Sequence, residues 1–231
     1  MIGRRNLRAV CFILLLFVCV LPLLSYAENT PGRPIALKFT PDVYEVNAGS
    51  VFWPSVYVTA EDLSAFDAAY GSVEFSLWRD EGILQITGEY KVGTEPGVYT
   101  GGIKGLHPGI EVVFVRVPGM ENSPDHACTV IVHSTHPVCV PEGVTAVSEE
   151  SFRGIAADEV VLGGSVTRIE SMAFAGCPLL GLITIPAGVT YIAEDAFDGC
   201  DGVNIICAAG SYAQQYASSH GLLFYAAQPK E

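Results

Sequence analysis

The chain has 231 residues, with 12 basic against 25 acidic side chains and a formal net charge of −13. An acid excess of this size repels nucleic acid and anionic lipid, which need clustered lysine and arginine, so nucleic-acid binding is set aside. The length leaves room for two ordinary domains.

Residues 1–27 read as a secretory signal peptide. Arg4, Arg5 and Arg8 precede an apolar run from Ala9 to Leu24, and Ser25-Tyr26-Ala27 supplies the small residues that a signal peptidase reads. The run is shorter than the ~20 residues that span a bilayer. Cys19 follows Phe17-Val18 rather than the small residue of a lipoprotein signal, so no lipid anchor is expected. Cleavage after Ala27 would leave nine basic residues against 25 acidic ones, a formal −16. No later apolar run is long enough for a span, and Gln228-Pro229-Lys230-Glu231 carries no hydrophobic tail. The expectation is a secreted product, extracellular or loosely attached to the cell surface, with no membrane insertion after signal removal.

Residues 28–134 predict a β-domain. Ile35, Leu37 and Phe39 alternate with Ala36 and Lys38, the period of a half-buried strand. Further strands are predicted at Val43–Val46, Val51–Thr59, Val73–Trp78, Ile83–Ile86, Ile110–Val117 and Cys128–His133. Turn signals separate them: Asn47-Ala48-Gly49, Gly71, Gly88, Pro96-Gly97, Pro108-Gly109 and Pro118-Gly119. Ala60–Ala69 predicts one short helical turn. About seven strands in about a hundred residues imply an antiparallel sandwich. Gly101-Gly102-Ile103-Lys104-Gly105 lacks the spacing of a phosphate loop and is read as a hairpin or loop.

Residues 135–231 are built on a repeat. Strand triplets recur at Val138-Cys139-Val140, Val160-Val161-Leu162, Ile183-Thr184-Ile185 and Ile205-Ile206-Cys207, starting 22, 23 and 22 residues apart. A second mark keeps the same register: Val144-Thr145-x-Val147, Val166-Thr167-x-Ile169 and Val189-Thr190-x-Ile192. A third is Ser151-Phe152-x-Gly154, Ala173-Phe174-x-Gly176-Cys177 and Ala196-Phe197-x-Gly199-Cys200. A period in the twenties with short strands means a solenoid of stacked coils. The phenylalanines should form one internal ladder, with positive φ at the glycine after each.

These marks resemble the BspA-type leucine-rich repeats of bacterial surface proteins. Val166-Thr167-Arg168-Ile169, Ala173-Phe174-Ala175-Gly176-Cys177 and Leu180-Gly181-Leu182-Ile183-Thr184-Ile185-Pro186 follow that pattern position by position. The first unit departs, with Ile155 in place of the cysteine and one residue fewer. The stretch from Cys207-Ala208-Ala209-Gly210-Ser211-Tyr212 to Gly221-Leu222-Leu223-Phe224 resembles the family's small helical C-terminal cap. The N-terminal domain resembles a bacterial Ig-like domain of group 2, on Leu37-Lys38-Phe39, Val46-Asn47-Ala48-Gly49, Val73-Glu74-Phe75-Ser76, Gly109-Ile110-Glu111-Val112-Val113 and Cys128-Thr129-Val130-Ile131-Val132. It departs in the place of Trp78 and in a long loop around 88–107. The fold expected is therefore mainly β: an antiparallel Ig-like sandwich, then a short leucine-rich-repeat solenoid with a helical cap. The resemblance implies a non-catalytic binding or adhesion module for a protein or for a cell-wall or host-surface ligand. A structural accessory subunit of an envelope complex is the alternative.

No motif assigns a catalytic residue, cofactor or metal. His126, Cys128, His133, His136 and Cys139 crowd together beside Asp125, but the step from His126 to His133 spans roughly 23 Å along a strand, so these two cannot share an ion. Exposed linker histidines and a buried thiol are the reading preferred. Glu149-Glu150, Asp158-Glu159 and Glu194-Asp195 are read as one solvated edge of the solenoid, with weak calcium binding as the alternative. The cysteines after the signal are odd in number, so they cannot all pair within the chain. Cys177, Cys200 and Cys207 are expected as buried free thiols. In each triplet the end residues share one face and the middle residue takes the other. Cys139, Val161, Thr184 and Ile206 should therefore point outward, beside Pro137, Glu159, Leu182 and Asn204. The apolar part of that row makes Val161, Leu182, Thr184 and Ile206 the candidate binding face. An N-terminal domain folded over it is the alternative.

Overall fold

The computed structural model describes residues 34–79, 81–92, 95–120 and 126–227. The signal segment 1–27, Asp125 and the final residues 228–231 lie outside them. Among the described residues strands dominate, with two short helices, α1 (Leu63–Ala69) and α2 (Tyr212–His220).

Two facing sheets make up the N-terminal body. The first holds β1 (Pro34–Phe39), β3 (Val51–Phe52), β4 (Ser55–Ala60), β6 (Leu84–Val92) and β7 (Val98–Gly105). The second runs in the order β2 (Val43–Asn47), β9 (His126–His133), β8 (Gly109–Arg116), β5 (Glu74–Leu77). All its pairings are antiparallel except β2 with β9. Leu37, Phe39, Val56 and Ile103 from the first sheet share one core with Phe75, Val113, Val115, Val130 and Val132 from the second. Alternation delivers these side chains inward, since successive residues of a strand point to opposite faces.

Two sequence expectations need correction. The run Val51–Thr59 is divided into β3 and β4, with Pro54, which has no N–H for a ladder, in the gap. The stretch Gly101–Gly105, read as a hairpin or loop, belongs to β7, which pairs with β3, β4 and β6. Its glycines are there for space. A Cβ on Gly101 would stand 2.6 Å from the Phe75 ring, and one on Gly102 would stand 2.3 Å from the Thr87 hydroxyl. Glycine within a strand marks such close approach.

The solenoid follows as two parallel ladders. One stacks β10 (Val138–Val140), β12 (Glu159–Leu162), β14 (Leu182–Thr184), β16 (Asn204–Ala208) and β17 (Leu223–Ala227). The other stacks β11 (Ala146–Val147), β13 (Arg168–Ile169) and β15 (Tyr191–Ile192). The rings of Phe152, Phe174 and Phe197 stack at 5.3 Å and 5.3 Å, within 9° and 5° of parallel, and Tyr216 continues the row at 6.0 Å. Gly154, Gly176 and Gly199 adopt φ of 68°, 65° and 71°, the left-handed turn that lets each coil leave its phenylalanine. At the C-terminal end α2 closes the core with Ala213, Tyr216 and Ala217. Ser211 caps its N-terminus and Gly221, at φ 65°, ends it.

Candidate functional site

The outward face of the solenoid's five-stranded sheet carries two rows. The pairing Glu159↔Leu182↔Asn204↔Leu223 makes one, and Cys139↔Val161↔Thr184↔Ile206↔Tyr225 the other. The first is closed to solvent, with Glu159, Leu182, Asn204 and Leu223 only 2%, 0%, 2% and 6% exposed. What covers it is the N-terminal body. Ile110 and Ile131, neighbours on β8 and β9, pack with Leu182 and Leu223, flanked by Val43, Trp78, Ile206 and Tyr225. Two sheets therefore meet face to face across an apolar layer.

This changes the standing of the candidate binding face. Leu182 is core between the two parts of the chain, not an accessible side chain. Val161, Thr184 and Ile206 are half-buried, and Cys139 is exposed. Ile206 leans on the junction cluster. The outward direction was legible from the triplet period, and the alternative of an N-terminal domain folded over the face describes the Leu182 row.

Backbone fit and polar contacts complete the junction. Gly181 abuts the carbonyl of Pro108, and Gly109 faces Ile83 and the Asn204 amide. Asn204 Nδ2 donates to the carbonyls of Gly181 and Gly202 at 2.9 and 2.8 Å. The Glu159 carboxylate accepts from the backbone N–H of Ser134 and lies 3.0 Å from His133 Nδ1. On its other side His133 Nε2 is 3.7 Å from Glu45 Oε2. The hydrogen bond to Glu159 raises the His133 pKa above the ordinary histidine value, against the opposing effect of burial, and Glu45 adds to the rise.

Asp158-Glu159 thus departs from the solvated edge expected of it. It occupies the strand-entry position shared by Gly181-Leu182, whereas Glu149-Glu150 and Glu194-Asp195 sit at the turn after the second ladder. The histidines and cysteines of the 126–139 stretch are not brought together as ligands. His126 Nε2 lies 3.6 Å from Asp42, His136 Nδ1 is bonded to the Thr135 hydroxyl, and Cys128 is buried in the N-terminal core. Among the described residues, no three His, Cys, Asp or Glu side chains are gathered as ligands for a metal ion.

Beside the junction lies a cleft of about 830 Å³ with walls from both parts of the chain. Arg79, Glu81 and His107 line one side, and Asp158, Leu179 and Asp201 the other. Leu179 is 61% exposed. The Arg79 guanidinium is already 3.6 Å from Glu81, so the carboxylates of Asp158 and Asp201 leave the cleft acidic. None of these residues carries a motif, and their convergence depends on docking between segments distant in sequence.

Residues 133–217 match the BspA type leucine rich repeat region in 6 copies. No curated protein matches the chain. Among solved structures, the S-layer protein rSbsC(31-844) is similar at 14% identity over 47% of this chain and 14% of its own, with a TM-score of 0.34. The BIgI domain of beta protein from S. agalactiae, bound to CEACAM1, is similar at 14% identity over 43% of this chain and 99% of its own, with a TM-score of 0.24. Likenesses at these TM-scores carry neither fold nor function across. That match begins at the end of β9 and runs through the stacked coils into α2, and it covers less than half of the chain.

Proposed function

We propose that the protein is an exported, non-catalytic binding module whose N-terminal body is an Ig-like sandwich and whose ligand is a protein at a cell or host surface. The carrying observation is the junction cleft, lined from both parts of the chain and acidic, with an exposed leucine on its rim. Clefts walled by two parts of a chain are common ligand sites, and an acidic wall selects a basic partner. The ligand that fits is a basic segment with an apolar side chain to cover Leu179. Surface plasmon resonance against extracellular-matrix proteins and cell-wall preparations tests this, using wild type and Leu179→Glu with Asp201→Lys. The double variant alters exposed residues only, so it should fold as wild type and lose the binding. Undiminished binding would move the site elsewhere.

A second reading, a structural subunit of an envelope layer, rests on the open end of the solenoid. Strand β10 ends its sheet, with Cys139 exposed on it, and Phe152 ends the ring stack half-exposed. Solenoids ordinarily close such ends with a cap. Light scattering over a concentration series separates the readings, since end-to-end stacking predicts a mass that rises with concentration.

A further inference from the structure

We propose that His133, held between Glu159 of the solenoid and Glu45 of the N-terminal body, is a proton-operated clamp on the docking of the two parts. Two carboxylates face the imidazole. Glu45 is on β2 and Glu159 on β12, while Ser134, the next residue, gives its backbone N–H to the same Glu159 carboxylate. Asn47 is the ladder neighbour of His133 on β2 and carries no charge.

Glu159 is 2% exposed, and an ionised carboxylate so buried is costly unless paired and hydrogen-bonded. Neutral histidine donates from one ring nitrogen only, whereas the imidazolium donates from both. With Nδ1 turned to Glu159 at 3.0 Å and Nε2 towards Glu45 at 3.7 Å, only the charged ring serves both carboxylates. A neutral ring would turn a lone pair towards one of them and leave two anions around an uncharged group. Separating the two parts returns Glu159 to water and removes the penalty.

Docking raises the His133 pKa, so the clamp is complete below the ordinary histidine value and is lost as pH rises through the docked value. The cleft shares this control. Asp158 on its wall adjoins Glu159, and Gly109, next to its Pro108, pairs with Val132 beside His133. The clamp rests on the docked geometry alone and stands whether or not the cleft binds a basic ligand.

The test uses the full chain. Small-angle scattering at about pH 6 and about pH 9 reads docking, and the His133 ring signal in NMR reads its protonation. Wild type should expand at the higher pH, and His133→Gln should be expanded at both. Glu45→Gln, a change at an exposed residue, should lower the His133 pKa and move the expansion to lower pH. A radius of gyration in wild type that does not respond to pH would overturn the proposal. So would a wild-type pH response in His133→Gln, or a His133 titration indifferent to Glu45→Gln.

Discussion

The carbonyl oxygen of Pro108 lies 2.3 Å from the point that a Cβ on Gly181 would occupy. No real Cβ tolerates that distance, and the obstacle is backbone rather than a side chain that can swing aside. The glycine of the third coil is thus a fitting surface for the N-terminal body.

Gly181→Val should therefore part the two bodies while leaving each folded. Leu182→Ala should weaken the same junction by about 2–5 kcal/mol, the usual cost of emptying a buried leucine site. Circular dichroism should stay that of wild type in Gly181→Val while small-angle scattering reports a larger radius of gyration. An unchanged radius would show that the junction yields around the new side chain.

Phe174 is fully buried and stacked on both sides, at 5.3 Å from each neighbour. Phe174→Ala should cost about 3–5 kcal/mol and act mainly on the solenoid. Denaturant melts followed by hydrogen exchange would show coils on both sides of Phe174 losing protection together. Loss confined to its own coil would contradict a continuous core.

Four of the described cysteines are buried and free, and Cys139 is exposed. Burial pushes the Cys128 thiol up to about 12 and Cys200 to about 11, and it raises Cys207 as well. The thiolate is the reactive form, so at about pH 8 a maleimide should label Cys139 promptly and Cys128, Cys177, Cys200 and Cys207 only after denaturation. Mass spectrometry of the native adduct decides it. Prompt labelling at Cys200 would place that coil turn in solvent.

Glu111 lies 0% exposed, with Oε1 accepting from the backbone N–H groups of Val112 and Arg79. Oε2 is one of the buried polar atoms without a hydrogen-bond partner. Burial raises its pKa. Between the ordinary carboxyl value and the raised one, the folded state keeps a proton that the unfolded state has released, so rising pH destabilises the fold across that window. Glu111→Gln removes the dependence and should gain most over wild type above that window. Melting temperatures across a pH series test this, and a gap independent of pH would sink it.

The solenoid was legible in the sequence because each coil repeats the same chemical demand. The phenylalanines, the glycines after them and the strand triplets recur in register, and the ladder and positive φ values follow from them. Strand β7 was not legible, since Gly101, Gly102 and Gly105 offer no side-chain period to read. The covered row was legible only as one of two alternatives. Glu159, Leu182 and Asn204 read as an outward strip, and a strip meant for solvent and one meant for another sheet look alike until the partner is placed. His133 and Glu159 were each visible as residues, but their pairing depends on how the two bodies dock.

The covered strand face, the shared cleft and the clamp all depend on that docking. A methyl-labelled sample of the full chain, with NOEs read between Ile110 or Ile131 and Leu182 or Leu223, measures it directly. Cross-peaks linking these four residues are predicted, because they form one buried cluster across the junction. NOEs confined within each body, with the two bodies tumbling independently, would contradict the covered strand face, the shared cleft and the clamp together.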